Sequence, residues 1–418
     1  MTATKSYDVV LWGATGFTGT LVANHLASHA PSSLRWAVAG RSRSKLEALV
    51  AALVPKAGVR KPSLIVADSF DHSSLRRMAQ QTRVICSTVG PYSRFGTSLV
   101  EVCVQEGVHY CDLAAEVPWM RQNIDRFHEI CQDKGIRIVH SCGFDSIPSD
   151  LGVLMMHYEV QARFGQPLGR VRTRISKLRG GLSGGTIASI LVMLEAYGDR
   201  SQRRVLRDPY ALYPRGVQSG HDGADSLLPF QDPRRAQWNG MFLMAGVNSR
   251  VVRRSNALLG FPYGVGLRYN EALATGAGFL GWARALGIGT SFAALGLLGM
   301  TRAGRWGLRR IAAKPGEGPS KEQRQSGAFR LDLYADTDHV VPRHLHGWVE
   351  GHGDPGYGET AKMLAESALC LACDPPTGAA GVLTPASAMG LLLIERLRSH
   401  GIVFGVDRMD TPGLAPAA

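Results

Sequence analysis

Asp8-Val9-Val10-Leu11-Trp12-Gly13-Ala14-Thr15-Gly16-Phe17-Thr18-Gly19 is the stretch that decides the fold. An unbroken apolar run reads as a strand buried on both faces, and the glycines behind it open a helical pattern over Thr20–His29. Glycine permits a tight turn and lets backbone N–H groups approach a pyrophosphate at the positive end of a helix. Spaced glycines alone are a weak sign. Set between a strand and a helix, they stand where a dinucleotide-binding loop works. Gly13, Thr15, Gly16, Phe17, Thr18 and Gly19 are therefore the first candidate cofactor-binding residues.

The alternation continues outward from this loop. Leu34–Gly40, Ser63–Ala67, Arg83–Ser87, His109–Leu113 and Ile136–His140 read as strands, with helical spacing over Lys45–Leu53 and Leu99–Glu106. This predicts an α/β, Rossmann-type doubly wound parallel sheet over residues 1–143. A site for NAD usually sets a carboxylate after the second strand, to accept from the ribose 2′-hydroxyl. This chain sets Arg41 there, with Ser42 and Lys45 nearby and no acid, so a 2′-phosphate and NADP(H) are expected. Asp68 and Ser69, after the third strand, are placed to meet the adenine, or Asp68 caps a helix. After the fourth strand, Thr88, Gly90 and Pro91 stand where the nicotinamide ribose would pass, and Tyr92 is a candidate proton donor or a packing anchor.

Beyond Cys142-Gly143-Phe144-Asp145-Ser146 the texture changes. Val171, Thr173 and Ile175 alternate with Arg172, Arg174 and Ser176; Phe329, Leu331 and Leu333 repeat the pattern, and Leu345–Glu350 adds a strand. The expectation is a second, α+β substrate domain built on an antiparallel sheet over residues 144–375. Residues 376–418 form a C-terminal segment, in which a helix over Pro385–Ser399 and a strand at Gly401–Phe404 return to the first domain's sheet. Tyr197–Tyr269 shows little periodicity. Ala274–Met300 is nearly all apolar apart from Arg284, lies in an acid-free stretch from Ala272 to Gly316, and is followed by Arg302, Arg305, Arg309, Arg310 and Lys314. Buried helices with a glycine break, a membrane-interfacial element over 274–314 and a membrane span compete here. The basic flank suits contact with anionic lipid.

Composition narrows the classes. A chain of 418 residues with 45% hydrophobic and 19% charged residues can bury two cores and is not disordered. A net charge of +13 favours anionic partners such as phosphorylated cofactors, anionic lipid or acyl-carrier proteins, and no nucleic-acid reader accompanies it. The seven cysteines are unpatterned, and the pair Cys370 and Cys373 lies in a helical pattern without a second pair of ligands. His344, His346 and His352 alternate along a strand pattern before the Gly353-Asp354-Pro355 turn; a metal site needs converging ligands with supporting carboxylates, the structural reading is preferred here, and no metal is expected. No apolar leader follows Met1, which predicts a cytoplasmic protein, with peripheral membrane contact as the variant. The oligomeric state is open, a homodimer included.

The chain resembles the saccharopine dehydrogenase-like oxidoreductases, and within them the trans-acting enoyl reductase branch of bacterial lipid synthesis. Gly13–Gly19, Ala39–Ser42, Val89–Tyr92, Gly107–Glu116, Cys142–Asp150, Ser183–Thr186, Gly353–Gly358 and Gly381–Ala386 carry the likeness. It implies a Rossmann domain rejoined by the C-terminal segment, a middle substrate domain, NADP(H), and an enoyl or polyketide-type acyl substrate, small or carrier-bound. It also implies that Gly107–Glu116 and Gly143–Asp150 lie beside the nicotinamide. Asp112 and Glu116 then hold substrate or cap a helix, Asp145 and Ser146 orient a substrate carbonyl, and Ser149 or Asp150 caps a helix starting at Leu151. Tyr92, Asp145 and Ser146 are the catalytic candidates. Two other readings stand beside this one: reduction of an imine or ketone metabolite, and a non-catalytic NADP-binding protein associated with membranes.

Overall fold

The computed structural model describes residues 5–180, 193, 195–218, 220–223, 226, 228–232, 235–301, 304, 306–307 and 318–407. The Ser183–Thr186 motif and the basic residues Arg302, Arg305, Arg309, Arg310 and Lys314 lie outside the described residues.

Six strands of the first sheet arrive in order: β1 (Tyr7–Trp12), β2 (Trp36–Gly40), β3 (Ser63–Val66), β4 (Thr82–Ser87), β5 (His109–Asp112) and β6 (Arg137–Val139). Eight more strands follow: β7 (Leu168–Arg179), β8 (Phe230–Asp232), β9 (Gln237–Gly240), β10 (Arg268–Ala277), β11 (Ala328–Thr337), β12 (His344–Gly351), β13 (Gly381–Leu383) and β14 (Val403–Val406). The first sheet runs β13-β6-β5-β4-β1-β2-β3 and is parallel at every pairing. Its inner strands are continuous apolar runs because helices cover both faces; β2 is buried at all five positions. Strand order reverses between β1 and β4, so the ligand crevice belongs above their carboxyl ends.

The second sheet runs β14-β12-β11-β7-β10-β9-β8. It is antiparallel except for β7 and β10, which pair in parallel from Arg268 opposite Arg170. The expected antiparallel sheet is thus a mixed one, since a long connection joins these two strands. β12 alternates half-buried and buried residues along its whole length, as a strand with one packed face should. Helix Ile147–Phe164 packs on β11 and β12, close enough that a Cβ at Gly152 would meet Leu333 Cδ2 at 3.0 Å.

The C-terminal segment serves both sheets. β13 pairs with β6 and completes the first sheet. The strand read at Gly401–Phe404 forms at Val403–Val406, but it pairs with β12 and joins the second sheet. Helix Pro385–Ser399 packs on helix Ile147–Phe164 and carries the chain across the junction.

The apolar stretch also divides differently from expectation. Arg268–Ala277 is strand β10, and Gly276 and Gly278, with φ of 105° and 63°, turn the chain into helix Gly278–Met300. That helix is not buried. It touches β9 and β10 through Ala285, whose Cα lies 3.1 Å from where a Cβ on Gly240 would stand. Phe279, Leu280, Leu297 and Leu298 face outward. Among the described residues no helix is long and apolar enough to cross a membrane. All seven cysteines are unpaired; Cys373 is exposed and the other six are buried.

Candidate functional site

The glycine loop is shaped by contacts that exclude side chains. Gly13 has φ of 83°, and a Cβ there would stand 2.5 Å from Val89 Cγ2 and 2.8 Å from Thr88 Oγ1. A Cβ at Gly19 would stand 2.2 Å from Gly13 O, so the helix can approach the loop only without one. Thr88 Oγ1 lies 3.1 Å from the carbonyls of both Trp12 and Gly13, tying the β4 loop to the β1 loop. Gly16 precedes helix Phe17–His29, whose first N–H groups receive no side-chain cap and whose first turn holds no acid. Thr15, Phe17 and Thr18 are half-buried around it. Uncapped donors at the positive end of a helix, with the space above kept clear by glycine, fit a pyrophosphate.

At the end of β2, Arg41 is exposed; Arg43 is paired with Glu47 at 3.4 Å, but among the described residues no carboxylate pairs with Arg41. Ser42 caps helix Arg43–Ala52 by accepting from Lys45 N, and Lys45 is exposed in the first turn of that helix. Past β3, the helix cap is Asp71, which accepts from Ser73 N and Ser74 N. Asp68 instead accepts from Phe70 N at 2.9 Å, and Ser69 beside it is buried. The helix-cap role considered for Asp68 therefore belongs to Asp71.

Gly90 is exposed and Pro91 half-buried at the carboxyl end of β4. Tyr92 turns inward. Its hydroxyl donates to Ser87 O at 3.2 Å and accepts from Leu113 N at 3.1 Å, and its ring stacks on Trp119. Burial, with Asp112 nearby, pushes the phenol well above its ordinary value. The single hydroxyl proton is already committed to a carbonyl.

Two buried acids organise the next loops. Glu116 accepts from Tyr92 N at 2.7 Å and Ser93 N at 3.0 Å. Asp112 accepts from Ala114 N at 2.9 Å and faces His140 Nδ1 at 2.8 Å. Both carboxylates are spent on the protein itself.

At the junction, helix Ile147–Phe164 starts four residues earlier than expected, so neither Ser149 nor Asp150 is its cap. Ser146 occupies the cap position, is fully buried, and donates through Oγ to Asn248 Oδ1 at 2.9 Å. Asn248 donates to Glu271 Oε1 at 3.2 Å, which also accepts from Ser149 Oγ at 2.9 Å. A recess of about 260 Å³ opens beyond this chain, lined by Asp222, Phe230, Tyr269, Asn270 and Glu271 among others. Asp150 accepts from Ser255 Oγ and from Ala386 N, pinning helix Pro385–Ser399; burial pushes its carboxyl up to about 7. Asp145 differs from all of these. It is half-buried, no donor among the described residues reaches it, and burial alone pushes its carboxyl up to about 6. An unpartnered acid with a raised pKa at a domain junction is a functional-site candidate.

The chain beyond the first sheet closes over the glycine loop through Tyr357 of the Gly353–Gly358 motif and through Arg324, which local pattern did not single out. Tyr357 meets the Phe17 ring edge-on at 4.7 Å, and the Arg324 guanidinium lies 5.3 Å from the same ring. Arg324 thus brings a cation beside the phosphate loop from far along the chain. Nothing in the sequence around Ser320–Gln325, a short capped helix, signals that position. The tempting histidines are tied to carboxylates supplied by neighbouring strands: His344 to Asp336 at 2.8 Å, and His346 to Asp332 and Asp407 at 3.0 Å each. His352 is exposed at the end of β12.

A glycine loop at the switch point of a parallel sheet, an arginine after β2 with no carboxylate partner among the described residues, and an acid beside a second sheet are features of a dinucleotide-dependent oxidoreductase. The sequence profile of the saccharopine dehydrogenase NADP-binding domain matches residues 9–139. A Mycobacterium tuberculosis protein named as a candidate trans-acting enoyl reductase is 39% identical over 98% of this chain and all of its own length. Trans-acting enoyl reductases of Mycobacterium bovis and Mycobacterium ulcerans are 37% and 36% identical over 98% and 97% of this chain, and over 99% of their own lengths. The chain therefore belongs to the saccharopine dehydrogenase-like oxidoreductases, in the trans-acting enoyl reductase branch. It is an NADP-dependent oxidoreductase. A saccharopine dehydrogenase of Saccharomyces cerevisiae shares the fold, with a TM-score of 0.54 over 96% of this chain and 99% of its own at 12% identity.

Proposed function

We propose that the protein reduces the carbon–carbon double bond of an enoyl thioester on a lipid-like or polyketide-type acyl chain. The observation that carries this reading is the likeness to trans-acting enoyl reductases across 98% of the chain, which includes the second domain that would shape the substrate site. NADPH, when bound, supplies a hydride for the β-carbon. The N–H groups of Gly13–Gly19 hold the pyrophosphate, Arg41, Ser42 and Lys45 take the 2′-phosphate, Asp68 and Ser69 flank the adenine, and Thr88, Gly90 and Pro91 line the nicotinamide ribose. Addition at the β-carbon breaks the double bond and moves charge onto the thioester oxygen as an enolate, which requires a donor and then a proton at the α-carbon. Asp145 is the group we assign to that proton. Its raised pKa keeps part of it protonated near neutrality, which suits a general acid. Ser146 acts through Asn248 as a positioning residue, and Tyr92 acts as the anchor of the β4 loop.

The substrate arrives on a carrier or from an anionic membrane, and the protein's +13 charge favours both. Helix Gly278–Met300 is the membrane-facing element in this account: Phe279 is 74% exposed and Leu297 67%, and the acid-free, basic sequence of residues 301–316 follows it. The testing experiment is NADPH consumption against a panel of enoyl thioesters, imines and ketones. Turnover of the thioesters supports the reading; turnover of imines or ketones alone overturns it, and no turnover of any would favour a non-catalytic binding protein.

A further inference from the structure

Three histidines, two of them from one helix and the third from far along the chain, meet at the far end of the first helix. His25 and His29 stand four residues apart on helix Phe17–His29 and so share one face. Their rings stack at 4.4 Å, and His400, just after helix Pro385–Ser399, sets its ring 5.2 Å from His25 and 5.0 Å from His29. One ligating nitrogen from each lies within 4.8 Å of the other two. We propose that His25, His29 and His400 bind a divalent transition-metal ion, zinc or a metal like it, which clasps the C-terminal segment to the nucleotide-binding domain.

The hydrogen bonds around the cluster suit that role. His25 Nε2 donates to Glu366 Oε1 at 2.7 Å, His29 Nδ1 to the carbonyl of His25 at 3.1 Å, and His400 Nδ1 to the carbonyl of Arg396 at 2.8 Å. An acceptor on one ring nitrogen draws the proton there and leaves a lone pair on the other. A carboxylate behind a ligating imidazole is the usual outer-shell arrangement. Glu366 fills it: its side chain is fully buried and is steadied by Arg396 at 3.2 Å.

Two histidines four apart on a helix are a zinc-chelating spacing, and a third leaves the fourth tetrahedral position to water. Nitrogens on a tetrahedral zinc stand roughly 3.4 Å apart, so the cluster must tighten slightly. His29 is exposed, and its side chain can make that movement. Imidazole donors select zinc, copper, nickel or cobalt over magnesium or calcium, which prefer oxygen. The helix has 13 residues and is about 20 Å long, so the ion would sit well away from the loop at its other end.

The test uses full-length, untagged protein stripped with a chelator and then titrated with zinc(II) alone. Retained metal is measured after dialysis, melting temperature is followed with and without zinc, and cobalt(II) replaces zinc for visible spectroscopy. The expected result is one ion per chain, a zinc-dependent rise in Tm, and the intense d–d bands of tetrahedral cobalt. Outer-shell losses alone cost about 10–100-fold in affinity, so His29→Ala and His400→Ala should each cost at least about 100-fold. Both variants should keep wild-type NADPH affinity, which shows that they are folded. No retention by the wild type, or equal retention by the wild type and His29→Ala, overturns the proposal.

Discussion

Helices Ala245–Leu258 and Gly278–Met300 belong to the same domain and invert the ordinary relation between polarity and burial. The first carries Asn248, Arg250, Arg253, Arg254 and Asn256, and all five are buried. The second carries Phe279, Leu280, Leu295, Leu297 and Leu298, and all five are exposed. Burial follows partners, not hydropathy alone. Arg254 is buried because the carbonyls of Leu212 and Val382 receive its guanidinium, at 2.5 and 2.6 Å. Arg253 meets Asp222 and the carbonyls of Pro209 and Tyr269. Among the described residues, the apolar helix rests mainly on the short strand β9 and on β10. One helix faces the junction, where Asn248 reaches Ser146; the other turns its apolar side chains outward.

The largest effect expected is on stability at the buried polar helix. Arg254→Ala leaves two buried carbonyls unmet and opens a cavity, so it should lower stability by about 3–5 kcal/mol in urea unfolding. A loss under about 1 kcal/mol would mean that this guanidinium is no better placed than a surface one, and the contrast between the helices would fail.

Next comes Asp145, the acid that precedes Ser146. Asp145→Asn keeps the shape and removes the titrating group, so turnover should fall about 100-fold or more while NADPH binding survives. As a proton donor with a carboxyl near 6, Asp145 should make wild-type turnover fall as pH rises through that value. The variant should lack that step. Full activity in Asp145→Asn would leave this carboxyl a structural feature of the junction.

Farther from the junction, Arg41→Ala should weaken NADPH by about 10- to 100-fold and NADH little, because charge-assisted bonds to the 2′-phosphate contribute roughly 1.5–3 kcal/mol. Equal wild-type affinity for both cofactors would contradict the assignment of Arg41.

The smallest stability effect falls on the exposed helix. Phe279→Ser with Leu297→Ser should change unfolding stability by no more than about 0.5 kcal/mol per site. The same pair should abolish co-sedimentation with phosphatidylserine-containing vesicles, which in the wild type should weaken as salt rises. Vesicle binding unchanged by the substitutions would remove the membrane from the account.

These contrasts also explain what the sequence disclosed. The first sheet was legible because its inner strands are buried on both faces and therefore carry apolar runs such as Val9–Trp12 and Trp36–Ala39, and because Gly13 and Gly19 punctuate the loop after β1. The helix Ala245–Leu258 was not, since its inward side includes arginine, asparagine and serine beside Val247, Val251 and Val252, which breaks up the apolar stripe. The mixed sheet escaped because a parallel pairing across a long connection leaves no local mark. Of the candidate site, the proposed Arg41 and Asp145 could be picked out from their place after strands. Arg324, and the carbonyl that absorbs the Tyr92 hydroxyl proton, are brought in by tertiary packing and could not.

The most direct test of the central claim is the NADPH oxidation rate of the purified protein with a medium-chain enoyl thioester, run beside an imine and a ketone of similar size. The account predicts that the thioester is reduced to its saturated acyl product, that NADH serves at least about tenfold less well, and that Asp145→Asn removes most of the rate. Oxidation of NADPH with the imine or ketone, and none with the thioester, would contradict it.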